Sequence, residues 1–364
     1  MKITLVAGAR PNFMKIAPII DAFEEKIASG HHLSYRLVHT GQHYDKNLSG
    51  SFFEELGIPL PDVNLDVRSG TQAEQTANIM VGFEQELINN PTDLVIVVGD
   101  VNSTMACAIV AKKLCIKVAH VEAGIRSGDL AMPEEINRMV TDSITDYFFT
   151  TSRLANTNLI KLGVPEKNIY FVGNVMIDTL LKNRSRFNQP ACWNELNLEA
   201  KNYFVLTMHR PSNVDQEMQL KSLLNAVTEY SKGLPIVFPV HPRTKAQLEK
   251  LTIDIDNLYM VSPLSYLKFN YLVENAFAVL TDSGGITEET TILRVPCITL
   301  RENTERPETV TLGTNRLVGH DTELLRNAFQ DLFDKNWPSG ESPELWDGEA
   351  ASRIADSLTS IDLS

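Results

Sequence analysis

The sequence predicts an α/β protein of two halves, each a parallel sheet wrapped by helices. Short β-branched apolar runs recur along the chain, each closing in a polar or glycine-bearing turn and followed by helical spacing, the pattern of βα units. The pattern appears in both halves. At 364 residues the chain also exceeds the roughly 250–300 residues that one hydrophobic core serves, so two domains are expected. A cleft between them is the natural place for a ligand.

The runs of the first half are Ile3 to Ala7, Ser34 to His39, Leu94 to Val98, Val118 to Val121 and Tyr147 to Thr150. Those of the second are Tyr203 to Thr207, Ile236 to Val240, Leu258 to Val261, Ala278 to Thr281 and Cys297 to Leu300. Most end at chemically capable residues: Gly99-Asp100, Glu122-Ala123-Gly124, His209-Arg210, His241-Pro242 and Asp282-Ser283-Gly284-Gly285. In open parallel sheets ligands bind outside the carboxyl ends of the strands, which directs these tails toward one crevice. After the Gly163-Val164-Pro165 turn a polar stretch, Lys182 to Asn202, loses the βα rhythm. The expected domains are therefore 1–172 and 173–344, with a C-terminal helix in 345–364 returning to the first. Its Ala and Ile residues in Glu349 to Leu358 have helical spacing.

Composition excludes several classes. With 33 Lys and Arg against 46 Asp and Glu, the formal charge is −13, unlike a protein that coats nucleic acid or an anionic membrane. No apolar run approaches the roughly 20 residues that span a bilayer. Ile3 to Ala7 reads as a first strand, since Gly8, Arg10 and Pro11 stand where a secretion signal would need a cleavage site. Cys107, Cys115, Cys192 and Cys297 form no metal-ligand spacing and are expected to be reduced thiols of a cytoplasmic protein.

Asp282 to Glu289 follows an apolar run and opens a helix. Free N–H groups at such a turn suit a phosphate, and Gly284 and Gly285 let it approach the main chain. A tight turn capped by Ser283 is the plainer reading. Arg301 and Arg306 follow the next run; each could fork onto a phosphate or ribose, or pair with Glu302, Glu305 and Glu308. At the other pole Arg10 and Lys15 follow the first strand as candidate anion binders. One glycine there does not make a dinucleotide fingerprint, which disfavours an NAD enzyme. Asp100 and Glu122 end successive apolar runs, and carboxylates so placed are paired, capping or functional. Glu134 and Glu135 follow Pro133 at a helix start, where dipole stabilisation explains them simply. His209 and His241 each end an apolar run and are candidates for binding or acid–base roles. No Cys, His, Asp and Glu cluster suggests a metal.

Taken together, Gly8-Ala9-Arg10-Pro11, Val98-Gly99-Asp100, His120-Val121-Glu122-Ala123-Gly124, Pro133-Glu134-Glu135 with Asn137-Arg138, Thr207-Met208-His209-Arg210, Asp282-Ser283-Gly284-Gly285 and Thr304-Glu305-Arg306-Pro307-Glu308 resemble one family. It is that of the non-hydrolysing UDP-N-acetylglucosamine 2-epimerases, over roughly Lys2 to Gly319. The resemblance implies the GT-B fold, two Rossmann-like domains facing a central cleft, and interconversion of UDP-GlcNAc and UDP-ManNAc without metal or nicotinamide. It implies that Ser283, Gly284, Gly285 and Glu289 hold diphosphate and ribose, with Arg10, His209 and Arg306 assisting and Phe269 near the uracil. Lys15, Asp100, Glu122, Glu134, Arg138 and His209 would surround the sugar and leaving group, the proton transfers falling to Asp100, Glu122 and Glu134.

The chain departs from the family at Ala9 and Asn12, where Thr and Glu are frequent, and at Leu264, where a Gln stands near the base. Some bacterial members bind a second UDP-GlcNAc as activator; Gln42, His43, Arg210 and His241 match that site, whereas Ser69-Gly70 replaces its Arg-Gln pair. The resemblance also implies a homodimer in the cytoplasm supplying cell-surface polysaccharide synthesis. A 2-epimerase of a 2,3-diacetamido uronic acid UDP-sugar and a glycosyltransferase on the same fold are the alternatives.

Overall fold

The computed structural model describes residues 1–41, 53–68, 70–214, 216–240, 245, 248 and 256–361, excluding the Arg10, Pro11, Pro211 and Ser212 side chains. These divide into two compact units, Met1–Lys182 with Glu344–Ser364, and Asn183–Pro343.

The first unit runs β1 (Lys2–Ala7), α1 (Arg10–Ala28), β2 (Ser34–His39), β3 (Val63–Asn64), α2 (Gln72–Asn89), β4 (Leu94–Val98), α3 (Asn102–Lys113), β5 (Lys117–Val121), α4 (Pro133–Ile144), β6 (Tyr147–Thr150), α5 (Arg153–Lys161), β7 (Ile169–Phe171) and α6 (Val175–Asn183). Its seven strands are parallel in the order β3-β2-β1-β4-β5-β6-β7. From β1 the chain moves outward to β2, and from β4 it moves the other way. Right-handed crossovers therefore put α1 and α3 on opposite faces. Sheets covered on both faces need continuously apolar strands, which explains Leu94 to Val98, all buried. Val6, Val95, Val97 and Val118 pack with Ile79 and Phe83 of α2 and Ala106 and Val110 of α3. Proline opens α1 at Pro11 and α4 at Pro133, where the missing N–H has no helical partner to lose.

The second unit runs β8 (Phe204–Thr207), α7 (Glu217–Tyr230), β9 (Ile236–Pro239), β10 (Leu258–Val261), α8 (Tyr266–Asn275), β11 (Ala278–Thr281), α9 (Gly284–Leu293), β12 (Cys297–Thr299), β13 (Asn315–Leu317) and α10 (Thr322–Phe333). Six parallel strands lie in the order β10-β9-β8-β11-β12-β13. Phe204 anchors its core, with ring contacts to Phe277, Phe329 and Phe333.

The chain then returns to the first unit through α11 (Ala350–Ser360), which packs on α1 and buries Ala351, Ile354, Ala355 and Leu358. The sequence places the change of domain at residue 172, whereas the first unit extends to Lys182. The reason is α6. Thr179 donates its hydroxyl to the Met14 carbonyl, and Asp178 accepts from the Ala350 and Ala351 amides at 3.2 and 2.7 Å, at the start of α11. The cysteines are free thiols, Cys107, Cys192 and Cys297 buried and Cys115 exposed. No helix among the described residues is long and apolar enough to cross a membrane.

Candidate functional site

Each sheet reverses its strand order once, between β1 and β4 in the first unit and between β8 and β11 in the second, and ligands of doubly wound sheets bind at such points. The described candidate side chains stand on the loops that leave strands at or near these points, or on the helices that follow those loops.

In the first unit Asn12 ties the two central strands together. Its side-chain oxygen accepts from Ala9 N at 2.9 Å, and its amide donates to Val98 O at 2.9 Å. One turn along α1, Lys15 donates to Glu122 Oε2 at 2.7 Å, with the two side chains 13% and 3% exposed. Gly99 lies against this pair in the left-handed region at φ +71°, and a Cβ there would stand 3.0 Å from Lys15 Nζ. Glu122 itself is left-handed at φ +70°, a conformation costing a carbon-bearing residue about 1–3 kcal/mol and characteristic of functional loops.

Arg138 on α4 is 3% exposed. It donates Nε and a terminal nitrogen to Asp100 Oδ2 at 3.0 and 2.6 Å, and its other terminal nitrogen to Glu135 Oε2 at 2.6 Å. Glu135 also accepts from Ser127 N and Gly128 N, at 2.9 and 3.1 Å. Burial works to raise the Glu135 pKa; the Ser127, Arg138 and Gly128 bonds outweigh it and hold the carboxyl below its ordinary value. Beneath the loop His120 bridges Asp142 Oδ1 at 2.7 Å and Gly99 O at 2.8 Å, while Arg126 meets Asp142 Oδ2 at 2.7 Å. Asp100 and Glu122 thus stand on two adjacent strand tails, one fixed by Arg138 and the other by Lys15.

The second unit is organised by Asp282, which is fully buried. It accepts from His209 N at 3.0 Å, Arg210 N at 2.9 Å, Asn213 Nδ2 at 2.9 Å and His209 Nδ1 at 2.8 Å. Burial alone would raise its pKa, but the His209, Arg210 and Asn213 bonds lower it on balance. Since Nδ1 donates to the carboxylate, Nε2 of the 63% exposed His209 ring is left to address a ligand. Ser283, Gly284 and Gly285 are partly exposed at the start of α9, and the Ser283 side chain makes no capping bond. The first-turn N–H groups that this leaves uncapped among the described residues suit an anion. Arg306 pairs with Glu288, both buried, and Tyr266 donates to Glu289 Oε1 at 2.9 Å. Phe269 lies on the first turn of α8 and is partly exposed.

Two switch-point loops, one carrying carboxylates with cations and the other an open helix N-terminus beside arginines, match a known architecture. The family model described as "UDP-N-acetylglucosamine 2-epimerase" matches residues 25–359. The chain belongs to the UDP-N-acetylglucosamine 2-epimerase family. It is an isomerase on the GT-B fold. The Methanocaldococcus jannaschii UDP-N-acetylglucosamine 2-epimerase is 41% identical, with 99% of each chain covered. Its crystal structure in complex with UDP-GlcNAc and UDP superposes with a TM-score of 0.89 over 99% of this chain and 100% of that one, at 40% identity. The Pseudomonas aeruginosa UDP-2,3-diacetamido-2,3-dideoxy-D-glucuronate 2-epimerase is 38% identical over 99% of this chain and 100% of its own.

Several family positions have neighbours that the sequence does not announce. Arg138 engages Glu135 and Asp100, whereas Glu134 is partly exposed on the first turn of α4. His120, Asp142, Arg126 and Asn12 were not among the expected site residues. Their signal was present in the polar side chains that interrupt otherwise apolar stretches, because a polar group buried there must find partners. The ion pairs of Arg301 with Glu305 and of Arg306 with Glu288 are buried rather than superficial. Arg10 opens α1, but its side chain lies outside the described ones. Gln42, His43, Ser69 and His241 lie outside the described residues; of the activator positions Gly70 and Arg210 are described, the Arg210 Nε donating to Asp282 O at 3.1 Å. Among the described residues no group of three or more His, Cys, Asp and Glu is placed to hold a metal ion.

Glu289 supplies a pH test. Burial pushes its carboxyl up to about 7, with a smaller push from Glu288, against the Tyr266 bond. The folded pKa exceeds the ordinary 4.5, so the folded state holds the extra proton between these values. Its stabilising contribution is lost as pH rises from about 4.5 through 7. Relative to the wild type, Glu289→Gln should gain thermal stability between pH 5 and pH 8 in the ligand-free protein. Parallel melting profiles would show that Glu289 does not titrate in this window.

Proposed function

We propose that the chain catalyses reversible C2 epimerisation of UDP-GlcNAc to UDP-ManNAc by elimination and re-addition of UDP. The observation that carries this reading is the pair of carboxylates, Asp100 and Glu122, on adjacent strand tails, each tied to its own cation. The C2–H of the sugar has no adjacent carbonyl to acidify it, so direct abstraction is unfavourable. As the C1–O bond breaks toward the departing diphosphate, positive charge at C1 acidifies C2–H. A carboxylate takes that proton, leaving 2-acetamidoglucal and UDP. A proton delivered to the opposite face of C2, with UDP adding back to C1, inverts C2 and regenerates the enzyme. Asp100, Glu122 and Glu134 are the proton-transfer groups of this scheme, and Lys15 and Arg138 orient them and the sugar. Arg10, His209, Arg306 and the Ser283-Gly284-Gly285 turn stabilise the charge that develops on the leaving diphosphate. Glu289 takes the ribose and Phe269 lies by the uracil. The relatives named above, both 2-epimerases of UDP-sugars, support the reaction class. In this reading a cytoplasmic homodimer supplies UDP-ManNAc to cell-surface polysaccharide synthesis.

The test is proton NMR of the purified protein with UDP-GlcNAc in deuterated buffer, without acceptor or added metal. The expected result is UDP-ManNAc carrying deuterium at C2, without stoichiometric free ManNAc. A 2-epimerase of a diacetamido uronic acid UDP-sugar is the second reading, favoured by the 38% identical Pseudomonas aeruginosa relative. An unchanged UDP-GlcNAc spectrum together with C2 exchange in that uronate would replace the first reading by the second.

A further inference from the structure

Arg301 leaves β12 beside the carboxyl end of β11, and its side chain is 5% exposed. One terminal nitrogen donates to Glu305 Oε2 at 2.6 Å. The other, NH1, is buried and has no hydrogen-bond partner among the described residues. A buried guanidinium nitrogen without a partner costs folding free energy unless something supplies an acceptor. Its position says where that acceptor would be. A Cβ built on Gly284 would lie 3.8 Å from Arg301 NH1 and 2.6 Å from Glu305 Oε1, so the ion pair abuts the first residue of α9. That ten-residue helix starts with two glycines and an uncapped Ser283, so its first-turn N–H groups converge with the orphan NH1 on one small region. Both donor sets call for an anion of several oxygens, and a guanidinium fork suits a phosphoryl group.

We propose that Arg301 is a further phosphate-binding residue, its NH1 donating to a phosphoryl oxygen of a nucleoside diphosphate held at the N-terminus of α9. Glu305 is the positioning residue: by engaging the opposite nitrogen it aims NH1 at the turn. Gly284 serves the same geometry, since any larger residue would displace Glu305. The inference rests on the reading of this turn as a UDP site and adds to it a cation that the family motifs do not assign.

The test measures binding of UDP and of uridine to the full chain by ligand-observed NMR, for the wild type, Arg301→Gln and Arg301→Lys. Loss of a charge-assisted bond to phosphate should weaken UDP about 10- to 100-fold in Arg301→Gln while uridine binding stays unchanged. Arg301→Lys keeps the charge and the Glu305 pair without the planar fork, and should lose several-fold for UDP alone. It also supplies the test should Arg301→Gln not fold. Unchanged UDP affinity in the folded variants overturns the proposal, as does an equal loss for UDP and uridine, which would mark a purely structural role. In both cases wild-type UDP binding leaves the epimerase reading intact. A wild type that binds no UDP removes both.

Discussion

Replacing Asp100 with Asn lowers turnover at least about 10³-fold while UDP binding stays within about twofold, and Glu122→Gln does the same. General acid–base groups contribute about 10²–10⁴-fold, and both carboxylates are held by cations rather than left to rotate in solvent. The amides keep the shape and several of the hydrogen bonds but cannot take the C2 proton. The two substitutions differ in side effect. Glu122 is 3% exposed, so Glu122→Gln leaves the Lys15 ammonium with a weakened partner in a largely buried place. Asp100 is 30% exposed, and Arg138 keeps Glu135 when Asp100 changes, so Asp100→Asn should cost less stability. The measurement is C2 deuterium incorporation beside UDP affinity for each variant. Retention of exchange in both would dismiss these residues as the proton-transfer pair.

Asp282→Ala should be the most damaging single change to the second unit. It removes one acceptor from two backbone amides, an imidazole and a carboxamide, all at 2.8–3.0 Å and gathered on a fully buried carboxylate. Breaking a buried, multiply bonded ionic group costs about 3–5 kcal/mol, which corresponds to a fall in melting temperature of roughly 6–20 °C for a unit of this size. The same carboxylate gives the acid limb of stability. Its folded pKa lies below the ordinary 3.8, so the stabilisation it provides at neutral pH is lost as pH falls through the folded value. Thermal melts at pH 7, pH 4 and pH 3 test both points: Asp282→Ala should keep nearly its full deficit at pH 4 and begin to lose it only as pH falls below 3.8 toward the folded value. A melting temperature unchanged at pH 7 would mean the loop is held by other contacts.

The strands that carry the central sheet positions were legible because burial on both faces leaves a continuous apolar run, as in Leu94 to Val98. β3, β7 and β13 were not. They span only Val63–Asn64, Ile169–Phe171 and Asn315–Leu317, lie at or near sheet edges, and present partly exposed residues. The candidate site was legible in residue types and in which strand tails bear them, but not in who pairs with whom. Arg138 is four residues from Glu134 and three from Glu135, and both spacings permit a helical ion pair. Only the loop carrying Ser127 and Gly128, which draws Glu135 inward, decides for the second. Asn12 reads from sequence as a polar residue near a helix start, yet it accepts from the tail of β1 and donates to Val98 O, 86 positions along the chain. No local pattern encodes such a bond.

The return of α11 to α1 sets an order on synthesis. About 160 residues of the second unit intervene between Lys182 and Glu344. At ribosomal rates of about 5–20 residues per second, the first unit waits roughly 10–30 s for its last helix. Until then the surface of α1 that α11 covers, and the carboxylate of Asp178 that receives its first amides, have no cover. A newly made chain therefore passes through a stage in which the second unit has everything it needs to fold and the first does not. That interval is when chaperone engagement and misassociation between nascent chains are most to be expected.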